Sequence, residues 1–238
     1  SLASGFLAIV VTALGSALQG AVGFGLGPLG APLLMLIDPR LVPGPLLLAA
    51  MILTVLMTKR DWHGVRFRDL GWAIPGRIVG TAAAVVFLGA ISTDRLAAVV
   101  GLLILVAVAL SATGLRLALT PRSLLGSGAV SGFLAPLTSI GGPTMGLVYQ
   151  HERGDVVRGT LSAFFIVGTV LSIAGLRVAG RFGVEEVRLA LVLMPGVLAG
   201  YLLSGPAARL MDRGWLRPAI LATSALAAVL VVAKYLFR

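Results

Sequence analysis

The chain carries the stretch Gly20–Pro32, which reads GAVGFGLGPLGAP, inside a long apolar segment, and this stretch decides the fold. No charged residue occurs between Ser1 and Ile37. Inside a helix, a glycine is about 1 kcal/mol and a proline about 3 kcal/mol less favourable than an alanine. The stretch therefore predicts an apolar segment that breaks near its middle, not a continuous membrane helix.

A second stretch of the same kind lies in the other half of the chain. Residues 131–143 read SGFLAPLTSIGGP, within the uncharged segment 123–150. We expect this segment to break near Ala135-Pro136 and near Gly141–Pro143, leaving two arms of about half a membrane each. Two broken apolar segments in corresponding positions point to the binding site of a transporter.

The composition indicates an integral, multi-pass membrane protein. The 238 residues are 58% hydrophobic and 12% charged, whereas soluble domains carry about 25% charged residues. The net charge of +10 does not indicate a nucleic-acid partner, because the basic residues fall between apolar runs, where they set topology in the bilayer. The chain has no cysteine, which excludes disulfides, thiol catalysis and thiolate metal sites.

Apolar runs long enough to cross a bilayer divide the chain into two similar halves. Outside the two breaks, spans are predicted at 2–21, 41–58, 70–91, 96–115, 159–176, 189–208 and 218–233. PGRIVG at 75–80 matches PGVLAG at 195–200, and GAP at 30–32 matches GGP at 141–143. We predict an all-α polytopic membrane protein of two homologous repeats, 1–118 and 119–238. Each repeat has one broken Gly/Pro-rich segment and three transmembrane helices.

The relation between the repeats depends on the broken segments. If each segment crosses the membrane fully, the repeats are parallel; if each is a re-entrant hairpin, they are inverted. With the loop 59–69 placed in the cytoplasm, both arrangements put the same excess of basic residues inside, so the positive-inside rule does not decide. The half-length arms favour hairpins, and hence inverted repeats.

The breaks supply the candidate substrate-binding residues. Unpaired backbone groups are costly in hydrocarbon, so a break must line a cavity or be buried in protein, and a helix that resumes after it offers N–H groups to an anion. Close helix packing is the alternative role of such glycines, and it is the expected role of the glycine pairs Gly76/Gly80, Gly128/Gly132 and Gly196/Gly200. Hydroxyls near a break can instead bond to their own helix, and an arginine near a helix end can snorkel to the surface. The candidates are Gln19, Gly23, Gly25, Gly30, Pro32, Arg77, Thr138, Ser139, Gly141, Gly142, Pro143 and Thr144.

Enzymatic chemistry has little support in the sequence. The pattern Gly25-x-Gly27-x-x-Gly30 fits a dinucleotide fingerprint formally, but it follows an apolar helix, contains Pro28 and precedes a span without an acidic residue. The two histidines, His63 and His151, have no metal-ligand spacing around them. We therefore expect no cofactor, no metal and no enzyme activity.

The order of these motifs resembles the sulfite exporter TauE/SafE family over nearly the whole chain. The residues that carry the resemblance are Gly15–Gly20 with Gln19, the Gly23-Phe24-Gly25 core, Gly30-Ala31-Pro32, Pro75–Gly80 followed by Thr93–Leu96, and Gly141-Gly142-Pro143. The resemblance implies a small permease of two repeats that moves sulfite, sulfoacetate or other sulfur-containing anions across the bacterial inner membrane.

The sequence thus predicts a secondary transporter that exports a small sulfur-containing anion by alternating access. The site is expected near mid-membrane, where the two breaks meet. An anion channel, an importer of a small organic anion and a subunit of a membrane assembly or enzyme are the alternatives. The partners are a small anion and the lipid bilayer, and the glycine faces are compatible with a homodimer.

Overall fold

The computed structural model describes residues 2–91, 93–112, 117–211, 229 and 233. Over these residues the chain is built from helices joined by short turns. The α-helices are α1 (Leu2–Val22), α2 (Ala31–Ile37), α3 (Gly44–Arg60), α4 (Phe67–Ala90), α5 (Thr93–Ala112), α6 (Pro121–Thr138), α7 (Gly142–Val148), α8 (Gly154–Val178) and α9 (Val184–Met211). A π-helical turn, Leu26–Gly30, leads directly into α2.

Helices occupy most of the predicted spans. α1, α4, α8 and the part of α9 up to Gly205 are long and apolar enough to cross a membrane, which supports a multi-pass membrane protein. The predicted spans at 41–58 and 96–115 correspond to α3 and α5, although residues 113–116 lie outside the described part. The span predicted at 218–233 lies outside the described residues except for positions 229 and 233.

The first broken segment is a hairpin that turns at residues 23–25. Gly23 has a φ of 103°, in the left-handed region that favours glycine. After the turn, Leu26 lies beside α1, so that a Cβ on Gly15 would be 2.9 Å from the Leu26 Cδ1 atom. The Leu26 N–H donates to Gln19 Oε1 at 3.2 Å. The chain therefore runs back along α1, as the hairpin arrangement predicts.

The second broken segment is also a hairpin. The Ser131 hydroxyl donates to the Gly141 carbonyl at 2.6 Å, and the Thr144 hydroxyl donates to the Ser127 carbonyl at 3.1 Å. These pairs place α7 antiparallel to the second half of α6. The reversal occurs at Ser139, whose φ of 62° ends α6 in a left-handed conformation.

The predicted break at Ala135-Pro136 is wrong, because Pro136 lies inside α6. A proline leaves the carbonyl four residues earlier without its helical donor. In this chain that carbonyl belongs to Gly132, and the Thr81 hydroxyl of α4 donates to it at 3.2 Å. The neighbouring helix thus satisfies the carbonyl and α6 continues.

The expectation of two half-membrane arms is also wrong. α6 has 18 residues and α7 has 7, so the first arm is about 27 Å long at 1.5 Å per residue. The first broken segment is also unequal, although less so: α1 has 21 residues, and the returning arm, which joins the π-helical turn to α2, covers Leu26–Ile37.

Contacts at the helix ends define two faces of the molecule. Arg60 ends α3 and donates to the carbonyl of Gly20, near the end of α1. Asp61 pairs with Arg158, at the start of α8. We call this side the Arg60 face; α1 and α3 end there, and α4 and α8 begin there. The opposite side, where α3 and α9 begin, is the Arg40 face.

Two close helix pairs hold the bundle together, and glycines four residues apart mediate both. α4 runs parallel to α6, and a Cβ on Gly80 would overlap the Ala129 carbonyl. α9 runs parallel to α1, and a Cβ on Gly200 would overlap the Ala13 carbonyl. Small residues allow such approach in membranes, so the predicted packing role of these glycines is confirmed. The partner glycines contact the preceding turns: Gly76 at Leu125 and Gly196 at Ile9.

Candidate anion site

The two breaks meet at a cavity of about 40 Å³ in the middle of the bundle. The contact is close, since a Cβ on Gly27 would lie 2.5 Å from the Ser139 carbonyl oxygen. Helices α3, α4 and α8 complete the walls. The lining residues are Gln19, Phe24–Pro28, Leu46, Leu47, Ala50, Thr54, Arg77, Ala135, Ser139, Gly141, Gly142, Phe165 and Thr169.

Arg77 of α4 is the charged residue of this lining. The residue is 2% exposed, so it does not snorkel to the surface. Its Nη1 donates to the Ser131 hydroxyl at 2.6 Å and to the Ser131 carbonyl at 3.2 Å. Its Nη2 donates to the Ser172 hydroxyl at 3.3 Å. The side chain is thus held between α6 and α8, at the second hairpin.

Helix α8 leaves room for the guanidinium group. A Cβ on Gly168 would lie 2.5 Å from Arg77 Cζ and 2.6 Å from both Nε and Nη2. One turn earlier, the Phe164 ring lies with its centroid 5.3 Å from Arg77 Cζ. This distance suits a cation–π interaction. The absence of a side chain at Gly168 therefore lets the plane of the guanidinium lie against α8.

The Arg77 charge has no ionic partner among the described residues. The ion pairs there all involve other residues. Within the described part of the chain, the Nε atom of Arg77 is buried and has no hydrogen-bond partner. A buried charge of this kind is costly unless it is paired, and an intramembrane arginine marks a substrate or ion pathway. A small anion in the cavity would provide both the charge and the acceptor.

Half of the predicted site residues line this cavity. The turns supply Gly25, Gly141, Gly142 and Ser139, α1 supplies Gln19, and α4 supplies Arg77. Two of the polar side chains also brace the hairpins, since Gln19 accepts from Leu26 and the Ser139 hydroxyl donates to the Pro43 carbonyl at 2.9 Å.

The other predicted site residues lie nearby but outside the lining. Thr138 donates to the carbonyl of Leu134 in its own helix at 2.8 Å, and Thr144 is bonded to α6. Thr138 thus follows the alternative of bonding to its own helix, whereas Thr144 joins the two arms of the hairpin. The remaining four shape the hairpins: Gly23 in the first turn, Gly30 in the π-helical turn, and Pro32 and Pro143 in the first turns of α2 and α7.

Several residues of the site were not predicted. Ser131, Ser172 and Gly168 hold or accommodate the guanidinium. Thr54 and Thr169 are buried hydroxyl residues of the lining inside apolar spans, and that position was a usable signal. Phe165 and the apolar lining residues of α3 give no such signal in the sequence, because a leucine or phenylalanine that lines a cavity cannot be told from one in the core.

Two hairpins with broken helices around a buried cation define a polytopic membrane protein of the transporter class. Comparison with known families agrees. The profile described as Sulfite exporter TauE/SafE matches residues 7–231, and the chain therefore belongs to that family. Membership implies a membrane transporter of sulfur-containing anions. No curated protein and no solved structure matches the chain significantly.

Proposed function

We propose that this protein is a secondary transporter that exports sulfite, sulfoacetate or a related small sulfonate from the cytoplasm. The observation that carries the proposal is Arg77, a buried cation that has no ionic partner among the described residues and lies at the meeting point of two broken segments. Family membership favours a sulfur-containing substrate, and the site offers a way to bind an oxyanion.

The free edge of the guanidinium group suits such a ligand. Nε and Nη2 of an arginine carry parallel N–H groups that can bind two oxygens of one oxyanion. Among the residues that the structure describes, the Nε of Arg77 has no hydrogen-bond partner and its Nη2 has one, the Ser172 hydroxyl at 3.3 Å. Nη1, by contrast, is committed to Ser131. Sulfite and sulfonates each carry three oxygens, two of which can bind to that edge. The leucine and phenylalanine residues of the lining suit a short carbon chain.

Inverted repeats, 1–118 and 119–238, would provide the alternating access. The directions of the helices support this proposal. α1 and α3 run from the Arg40 face to the Arg60 face, whereas α6 and α8 run the opposite way; α4 and α9 are likewise opposed. The glycine pair of α4 in the first repeat contacts α6 of the second repeat, and the glycine pair of α9 in the second repeat contacts α1 of the first. Rocking of one repeat against the other around a fixed site is the usual mechanism of such folds.

Export fits a cytoplasmic Arg60 face in the bacterial inner membrane. Lys59, Arg60, Arg66 and Arg68 lie in or beside the loop at this face, and such residues favour the cytoplasm. An inside-negative potential favours the exit of each negative charge by about 2.3 kcal/mol per 100 mV. Export of an anion therefore requires no ATP.

The test is a thermal-stability panel on the purified protein in detergent. Sulfite, sulfoacetate and methanesulfonate are compared with chloride, nitrate and acetate at equal ionic strength. A bound ligand stabilises by about 2.7 kcal/mol at 100 times its Kd. We expect at least one sulfur oxyanion to raise the melting temperature of the wild type but not of the Arg77→Gln variant. Equal stabilisation by all anions, or by none, would contradict the proposal.

A further inference from the structure

A largely buried carboxylate at the Arg60 face joins two arginines from different repeats. The Asp61 side chain is 9% exposed. Its Oδ2 accepts from Arg60 Nε at 3.0 Å, and Arg158 donates through Nε to Oδ2 at 3.3 Å and through Nη2 to Oδ1 at 3.2 Å. Asp61 directly follows α3, and Arg158 lies in the first turns of α8.

Arg60 extends this cluster to two more helices. Its Nη2 donates to the Gly20 carbonyl at 2.6 Å, and its Nη1 donates to the Ser204 hydroxyl of α9 at 2.9 Å. The cluster of Arg60, Asp61 and Arg158 thus ties together the ends of α1, α3 and α9 and the start of α8. These contacts hold the four helices together on this side of the cavity.

Phe24 lies between this cluster and the cavity. On one side, a Cβ on the adjacent Gly23 would be 3.2 Å from Val157 and 3.4 Å from the Arg158 Cα. On the other side, the Phe24 ring lies over α7, where a Cβ on Gly146 would be 2.5 Å from Phe24 Cε1. Phe24 itself lines the cavity. It therefore covers the cavity on the side of the Arg60 face.

The opposite face is held less tightly. In the described part of the chain, the ion pair between the repeats on that face joins Arg40 to Glu185; it is 4.0 Å long and exposed on both sides (69% and 56%). A second cavity of about 320 Å³ lies there, lined by Pro43, Leu137 and Arg181 among others. The contact between the Ser139 hydroxyl and the Pro43 carbonyl separates it from the central site. The described residues thus hold the Arg60 face together more firmly than the Arg40 face.

We propose that Asp61 is the latch of a gate on the Arg60 face and that Phe24 is its plug. Release of Arg158 from Asp61 frees α8 from α3, and Phe24 then swings off α7. Gly23 and Gly25, with φ values of 103° and 155°, flank the plug and provide the pivot, because glycine tolerates such backbone conformations. The gate rests on the alternating access of the proposed function.

The test measures access to the cavity with a single thiol. The natural chain has no cysteine, so Thr54→Cys places one reactive group in the lining. A membrane-impermeant methanethiosulfonate reagent is applied to vesicles of both orientations, without substrate. Adding Asp61→Asn should raise the labelling rate from the Arg60 face about tenfold or more, because it breaks a largely buried pair. Labelling from the Arg40 face should not rise.

The chain offers a matched control for the loss of charge. Asp155 lies on the same face but pairs with Arg153 two residues away, in an exposed contact (42% and 83%). Asp155→Asn should leave labelling within twofold of the parent, because exposed pairs contribute little. Equal effects of Asp61→Asn and Asp155→Asn would overturn the latch.

Further variants keep the proposal falsifiable if Asp61→Asn folds poorly. Arg158→Gln should open the same face, and the double variant with Asp61→Asn should label no faster than the faster single variant, since both break one pair. Phe24→Ala should open it as well. Fully additive effects, or no effect of Arg158→Gln and Phe24→Ala, would overturn the gate. Because no transport substrate is added, the assay can succeed even if the stability panel fails, so the two proposals are tested separately.

Discussion

The Gly168→Ala substitution tests the role of Arg77 without altering its charge. A methyl group at residue 168 would lie 2.5 Å from Arg77 Cζ and 2.6 Å from Nε and Nη2. Ordinary contact begins at 3.4 Å, so the guanidinium has to move by about 0.8–0.9 Å. Its other partners, Ser131 and Ser172, are fixed by their own helices. The movement therefore lengthens the contact between Arg77 and Ser172 and misplaces the free edge.

The size of the effect follows from the hydrogen bonds at stake. A hydrogen bond to a charged group contributes about 1.5–3 kcal/mol, and each 1.4 kcal/mol corresponds to a factor of about ten in Kd. Loss of one such bond to the anion should raise the Kd for the transported anion roughly tenfold to hundredfold. The fold itself should lose about 1–3 kcal/mol from overpacking.

The assay is a ligand titration followed by melting temperature, with Gly126→Ala as the control. A Cβ on Gly126 meets nothing within 4 Å, so the same exchange in α6 should leave the Kd for the anion unchanged. Gly168→Ala should shift the titration to higher anion concentrations. An unchanged Kd in Gly168→Ala would refute the reasoning, because it would show that the position of the Arg77 guanidinium does not affect binding of the anion.

Two further substitutions test the fold. Gly80→Ala forces a methyl group into the Ala129 carbonyl and should lower the melting temperature well below that of Gly126→Ala; equal melting temperatures would contradict the close packing of α4 on α6. Thr81→Val removes the donor to the Gly132 carbonyl, which Pro136 leaves without a helical partner. The fold should then lose about 1–3 kcal/mol of stability, because the buried carbonyl is left without a donor. The loss is measured as a lower melting temperature, and an unchanged melting temperature would mean that another donor replaces Thr81.

The sequence predicted the architecture because its signals are local. Apolar runs give the spans, and the glycines and prolines at 23–32 and 139–143 mark both hairpins. The packing glycines were equally readable, because only small residues allow helix backbones to touch in a membrane. What failed was the inference from Pro136. Its effect depends on Thr81, a residue 55 positions away in the chain, and no local rule contains that contact.

The site was predicted in part, for a related reason. Arg77 stood out because an arginine inside an apolar segment is rare, and the glycines of the turns were identified by their clustering. The residues that position Arg77 gave no such signal. Ser172 and Gly168 look like ordinary members of an apolar helix, and their roles arise from the way α8 lies across α4.

The most direct test of the central claim is sulfite counterflow in proteoliposomes. Vesicles containing the purified protein and unlabelled sulfite are diluted into a trace of labelled sulfite, and uptake is followed over time. We predict a saturable, transient accumulation of label with the wild type and its loss in the Arg77→Gln variant, with sulfoacetate inside able to replace sulfite. Unsaturable flux without counterflow would indicate a channel. Wild-type counterflow in Arg77→Gln would contradict the claim that Arg77 binds the transported anion.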